Sequence, residues 1–217
     1  MFLHLGTQIF QEIVVDNNDD IRILHCLNRT REIQAHLNDC RDERRPYLFI
    51  TQTMRDKYQS VSSLESLLSP SANGMSLLRR ILVPVSMLEE EVYKAEICTY
   101  LARKAHAHLI LLQANDYGSK AQQNVNRIRT HIEGVSQRIG QPLSYEIQKA
   151  FKNSFGLTKE ASERQRDFGH DLLLLTASRE YGIDDYLFGP PERKAIQHSL
   201  VPVMLVNPRK DLFSLCD

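Results

Sequence analysis

Thr176, Arg179, Gly182 and Gly189 share one loop that stands where a phosphate would be held but mostly lacks the residues to hold it, and Ser86 follows a separate apolar run. The loop, Thr176 to Pro191, joins the short run Asp171-Leu172-Leu173-Leu174-Leu175 to an expected helix over 192–198 and then to Val201-Pro202-Val203-Met204-Leu205-Val206. Strand, loop and helix in that order put the loop at the carboxyl end of a strand, where free backbone N–H groups and the helix dipole favour negative charge. Close approach of backbone to phosphate needs glycine, because a Cβ blocks both the geometry and the positive φ angles involved. Arg179 has two readings. Its planar guanidinium binds an anion directly, or it fills the site and pairs with Glu180, Asp184 or Asp185 of the same loop. Ser86 is placed to cap a helix beginning near Glu89, and the carboxylates Glu89, Glu90 and Glu91 in its first turn suit the dipole while repelling a nucleotide.

Other reactive side chains form no set. A serine nucleophile needs a histidine base and a third orienting group, and no Gly-x-Ser-x-Gly turn is present to display one. His106 and His108, spaced by two at an expected strand entry, could aim at one face, but a metal needs a third ligand and none is near in sequence. His198 falls at a helix carboxyl end, where imidazole suits the dipole and acts as a cap. Cys26, Cys40, Cys98 and Cys216 are scattered without a Cys-x-x-Cys pair, so reduced, buried thiols are expected. Arg41, Arg44 and Arg45 interleave with Asp39, Asp42 and Glu43, the pattern of a solvated helix end. No catalytic set and no metal site are expected.

The elements that must position the loop follow from periodicity. Residues 81–85 form a strand and 89–105 a helix with Val92, Ala95, Leu101, Ala102 and Ala105 at helical spacing. His108 to Gln113 is a strand. Residues 119–139 form a helix with Val125, Ile128, Ile132, Val135 and Ile139 on one stripe and Gly140 as its stop. A strand over 143–148, a helix over 156–168 and the strand at Asp171 complete an alternating order, which implies right-handed crossovers and a parallel sheet covered on both faces. Upstream, helix 7–15, strand 21–27, helix 30–42 and strand 47–52 give the same alternation, matching the order of 119–175. Residues 60–73, rich in serine, look like a linker with one short helix at 64–68. A two-stranded fragment exposes sheet edges and apolar surface, so it should pack on the second part or on another copy of the chain.

Arg80-Ile81-Leu82-Val83-Pro84-Val85 and the stretch Gly189 to Val206 resemble the universal stress protein family, over about the last 140 residues. The resemblance implies an α/β parallel-sheet sandwich of the adenine nucleotide alpha hydrolase-like type, with residues 1–75 a truncated first repeat plus linker and 76–217 the complete domain. Nucleotide-binding members of the family carry Gly-x-x-Gly, nine residues, then Gly-Ser or Gly-Thr. Here those positions hold Thr176, Arg179, Gly189 and Pro190, and the family's acidic residue after the first strand falls on Ser86. Pro190 has neither hydroxyl nor N–H to offer an oxygen. ATP is therefore disfavoured and no cofactor is expected; Ser86, Thr176, Arg179, Gly182 and Gly189 would line a remodelled site. Relatives pair the last strand with that of another domain, so the resemblance implies a homodimer, or pairing of the two repeats, through Val201–Val206.

Composition narrows the partners. The 217 residues balance 27 basic against 27 acidic side chains, so no global field attracts nucleic acid. The longest apolar runs are far short of the roughly 20 residues that span a membrane, so no insertion is expected. The first residues lack a basic start and a long apolar core, which argues against a signal peptide and for a cytoplasmic protein. The expected function is a stress-response protein that works through dimerisation or a protein partner and not through catalysis. The alternatives are a protein binding a nucleotide or other small anion in a remodelled site, and a regulatory domain of a membrane transporter.

Overall fold

A computed structural model describes residues 21–26, 30–42, 46–58, 60–69, 76–178 and 189–207. The expected helix at 7–15, Arg179, Gly182 and Cys216 lie outside the described residues. In chain order the elements are β1 (Arg22–Cys26), α1 (Thr30–Asp42), β2 (Tyr47–Thr51), α2 (Arg55–Tyr58), α3 (Leu64–Leu68), β3 (Arg80–Val85), α4 (Lys94–Ala105), β4 (His108–Gln113), α5 (Lys120–Ile139), β5 (Tyr145–Lys149), α6 (Ser154–Asp167), β6 (Leu172–Thr176), α7 (Pro191–His198) and β7 (Val203–Val206).

The strands form one seven-stranded sheet in the order β1-β2-β7-β6-β3-β4-β5. From β7 to β5 every pair is parallel, as alternating strands and helices require. β1 and β2 are parallel to each other, but β2 meets β7 antiparallel, Tyr47 opposite Leu205 and Phe49 opposite Val203. The sheet is therefore mixed, with a single antiparallel seam between its two parts, and not parallel throughout. The last strand pairs inside the chain, and both of its edges are occupied by β6 and β2.

That seam changes which segments correspond. β1 and β2 are adjacent parallel strands joined by α1, and so are β6 and β7 joined by α7; β5 and β6 are separated by β3 and β4. The fragment thus matches β6-α7-β7 in strand order and not residues 119–175, because alternation along the chain does not say which strands become neighbours.

Apolar side chains from both parts share two cores, one on each face of the sheet. Ile23, Leu48 and Ile50 lie with Ile81, Val83, Ile97, Leu101 and Val125 on one face. Ile33, Leu37, Tyr47 and Phe49 lie with Leu82, Leu112, Leu157, Ile196 and Leu205 on the other. The serine-rich stretch belongs to the first core. Val61, Leu64 and Leu67 are buried there, and Ser63 and Ser66 form a reciprocal capping box that starts α3. The expected short helix at 64–68 is present, and the stretch around it is packed into the core and not merely a connection.

Two local expectations are corrected. His106 is not on a strand: it ends α4 with φ of 51°, in the left-handed region, so only His108 enters β4, with Nδ1 against Ser144 Oγ at 2.6 Å. Residues 89–93 form a 3-10 turn before α4 begins at Lys94.

Candidate functional site

β3 runs on to β4 on one side and β6 to β7 on the other, so the chain changes direction between β3 and β6, where open α/β sheets bind ligands beyond the strand carboxyl ends. A cleft of about 410 Å³ lies at that place, lined by Ser86, Leu88, Glu91, Lys94, Phe155 and Thr176 among others.

Its floor is a closed polar network. The 3-10 turn over Glu89–Tyr93 brings residues three apart onto one line, so Glu91 turns inward and meets Lys94. The Lys94 ammonium pairs with Glu91 Oε2 and donates to the Pro84 carbonyl, and its side chain is 1% exposed. Ser86 Oγ donates to Glu91 Oε1 at 2.6 Å, and Thr176 Oγ1 donates to Glu91 Oε2 at 3.3 Å. A buried ion pair persists only when further hydrogen bonds satisfy its remaining atoms, and here Ser86, Thr176 and Pro84 supply them. Ser86 accepts from the Leu88 amide at 3.3 Å, so it belongs to the ion-pair network; the turn itself is preceded by Leu88, with no side-chain cap.

Neighbouring loops hold the floor in place. Asn124 Nδ2 donates to the carbonyls of Ser86 and Leu88 at 3.0 and 2.7 Å, clamping the turn from α5. The Met87 amide donates to Ser154 Oγ at 2.9 Å, and Ser154 in turn donates to Asp116. Glu160 accepts from the amides of Phe151 and Lys152 at 3.0 and 2.7 Å and from Arg164. Burial alone would raise the Glu160 carboxyl, but those amides and Arg164 more than offset it and hold it below its ordinary value. Behind the floor, burial pushes the Cys98 thiol up to about 12, so it offers no thiolate.

The second wall is the amino end of α7. Gly189 has φ of 79°, and a Cβ there would fall 1.6 Å from the Arg193 guanidinium. The arginine therefore lies against the glycine, beside the part of the α7 start, Pro191 and Glu192, that lines the cleft. Arg193 Nη1 donates to Gln34 of α1 at 3.2 Å, which ties this contact to the amino-terminal fragment. Pro190 precedes the helix without a capping side chain, while Glu192 in the first turn accepts from the Ser178 amide at 2.7 Å and from its hydroxyl.

Of the residues expected at the site, Ser86 and Thr176 are brought together through Glu91, and Gly189 stands at the neighbouring helix start. Arg193 and Lys94 were not foreseen. Lys94 was signalled by its place on the same helical stripe as Cys98, Leu101 and Ala105, which foretells burial. Arg193 gave no signal, because its neighbour Gln34 lies 159 residues away.

No protein-family model matches the chain, and no curated protein matches it in sequence. Solved structures do resemble it. A universal stress protein from Archaeoglobus fulgidus DSM 4304 superposes with a TM-score of 0.55 at 14% identity, over 89% of this chain and 63% of that one. A universal stress protein in complex with cAMP gives 0.46 at 14% identity, over 61% and 98%. Universal stress protein UspA from Lactobacillus plantarum gives 0.40 at 13%, over 59% and 97%. The first of these carries the conclusion: the chain has a universal-stress-protein-like α/β fold, and it spans less than two thirds of the length of the Archaeoglobus protein. Among the described residues no helix is long and apolar enough to cross a membrane.

Proposed function

We propose that this protein is a universal-stress-protein-like protein that does not bind ATP in the manner of the family's nucleotide-binding members, catalyses no reaction, and acts through interactions of its folded surface. The observation that carries this reading is the self-filled site. Glu91 and Lys94 satisfy each other with Ser86 and Thr176 on the cleft floor, and Arg193 covers Gly189. A phosphate would have to displace a guanidinium already hydrogen-bonded to Gln34 and approach beside a buried carboxylate, and each step costs binding free energy. A hydroxyl nucleophile needs a base free to take its proton, and the carboxylate to which Ser86 and Thr176 donate hydrogen bonds, Glu91, is already held by the Lys94 ammonium.

A second reading is favoured by one feature. The cleft of about 410 Å³ at the turning point of the sheet is large enough for a small molecule, with Leu88 and Phe155 at its rim. Under that reading Arg193 swings from Gly189 to meet an anion. Thermal unfolding with and without millimolar ATP, ADP, AMP or cAMP and magnesium separates the two. The closed-site reading expects no shift. A ligand at about 100 times its dissociation constant adds about 2.7 kcal/mol of stability, and such a shift, abolished by Arg193→Ala, would establish the remodelled site instead.

A further inference from the structure

Exposed aromatic side chains gather where β4 and β5 end. The loops that follow these strands are stapled together: the Asn115 amide donates to the Lys152 carbonyl at 2.9 Å, and Asp116 accepts from the Ser154 amide at 2.8 Å and from the Ser154 hydroxyl. Glu160 of α6 holds the second loop through the amides of Phe151 and Lys152. Each ring stands on or beside a residue that makes one of these contacts. Tyr117 is fully exposed, and Phe151 and Phe155 are each 84% exposed. Leu88, also exposed, adjoins them, because the neighbouring Met87 amide donates to Ser154. Loops fixed in place that display rings to water form the kind of apolar patch that marks an interaction site.

The exposed charges beside the rings share one sign. Lys120, Lys149, Lys152 and Lys159 are all exposed, whereas Asp116 and Glu160, the acids of residues 115–120 and 149–160, are engaged in the contacts above. Glu89 beside Leu88 and Glu163, one turn beyond Lys159, mark where the positive patch ends. The whole chain balances 27 basic against 27 acidic residues, so this field is a property of one face. We propose that this face docks on an anionic lipid surface, with the rings at the headgroup boundary and the lysines against the lipid charges. Aromatic rings are favoured at that boundary, and each lysine near an anionic leaflet strengthens binding about fivefold. Single-stranded nucleic acid also takes lysines and rings, but it needs a groove that tracks its backbone and open ring faces to stack on. Here the rings project from loops and Leu88 offers no stacking face. Arg164, whose fork suits phosphate, already lies over the Phe151 ring at 5.2 Å and is tied to Glu160.

The inference deepens the interaction reading above, on which it rests, by naming a lipid surface as the partner. Sedimented vesicles of phosphatidylcholine and phosphatidylserine in equal parts should carry the full chain down, and vesicles of phosphatidylcholine alone should not. Raising the salt from about 0.1 M to about 1 M shortens the screening length from about 10 Å to about 3 Å and should release the protein. Lys120→Gln and Lys152→Gln should each weaken binding about fivefold, and Phe151→Ser combined with Phe155→Ser about tenfold or more. Lys104→Gln, an exposed position at the end of α4 and thus at the opposite end of the strands, should change nothing. The surface is overturned by a chain that sediments with neither vesicle or equally with both, by binding that survives the double phenylalanine variant, or by a loss in Lys104→Gln as large as in Lys152→Gln. A chain that ignores vesicles but binds oligouridylate would overturn it in favour of nucleic acid. Nucleotide response is read separately: a chain that ignores both vesicles and ATP loses this surface and leaves the closed site standing, while one that binds vesicles and is stabilised by ATP does the reverse.

Discussion

Two buried carboxylates, one at each end of the strands, are satisfied in different ways. At the carboxyl edge Glu91 is met by Ser86, Lys94 and Thr176, all from the second part of the chain, and the set closes a cleft. At the amino edge Asp171 Oδ2 accepts from the amides of Arg79 and Arg80 at 3.1 Å each, and Oδ1 pairs with Lys57 at 3.1 Å. Tyr58 donates to the Asp171 carbonyl at 3.3 Å. Lys57 and Tyr58 come from the amino-terminal part, so the second carboxylate joins two regions instead of filling a site. The same chemical device thus builds the floor of a cleft at one edge and fastens the amino-terminal part of the chain at the other. Exposure separates them further, since Lys94 is buried and the Lys57 side chain is 53% exposed.

The sharpest test of that contrast removes each cation. Lys94→Met leaves the Glu91 carboxylate buried without its ammonium and should cost about 3–5 kcal/mol in denaturant unfolding. Adding Glu91→Gln should recover most of the loss, since an uncharged pair needs no counter-ion. If Lys94→Met is neutral, the network is not the closed unit described above.

A smaller loss is expected at the amino edge. Asp171→Ala strands two backbone amides and should cost about 1–3 kcal/mol, whereas Lys57→Ala removes only a solvent-screened ion pair worth about 1 kcal/mol or less. Equal costs for the two substitutions would show that the ion pair, and not the amide contacts, does the fastening.

Acid should distinguish the edges with the smallest effect. His170, beside Asp171, is 4% exposed, and burial, followed by the charge of Arg80, lowers its pKa below the ordinary 6.5. His131 on α5 is lowered by burial as well. A histidine held neutral stabilises the fold above its unfolded pKa, and that contribution is lost as pH falls below 6.5 toward the folded value. Glu160 at the carboxyl edge is lowered from 4.5, so its contribution is present above that pH and is lost only as pH falls through the folded pKa. The melting temperature should therefore decline in two stages on acidification, and His170→Phe should diminish the first without altering the second. A single stage below 4.5 would remove the histidine contribution.

Much of this was legible beforehand where local spacing sufficed. α1 and β4 begin and end at the residues their apolar periods indicate, and α5 stops at Gly140, whose φ of 65° few side chains tolerate. β7 starts two residues later than its apolar run, at Val203, with Pro202 left outside the strand. That Pro190 has no N–H and no hydroxyl to offer was legible too, because backbone chemistry is a property of the residue itself. Glu91 was not: three consecutive glutamates look alike in sequence, and only the tight 3-10 turn separates the buried Glu91 from the exposed Glu89. The packing of the serine-rich stretch was hidden for a related reason, since Val61, Leu64 and Leu67 gain their value from a core built elsewhere in the chain.

The sequence by itself determined the order of strands and helices and most of the residues that face a core, because each depends on neighbours a few positions apart. Only the tertiary structure decided that β2 seals β7 antiparallel, that Glu91 and Lys94 close the cleft floor and that Arg193 lies on Gly189. Those outcomes depend on which edges and buried charges find each other across the chain, and a buried polar group is tolerated only where its partners converge in space.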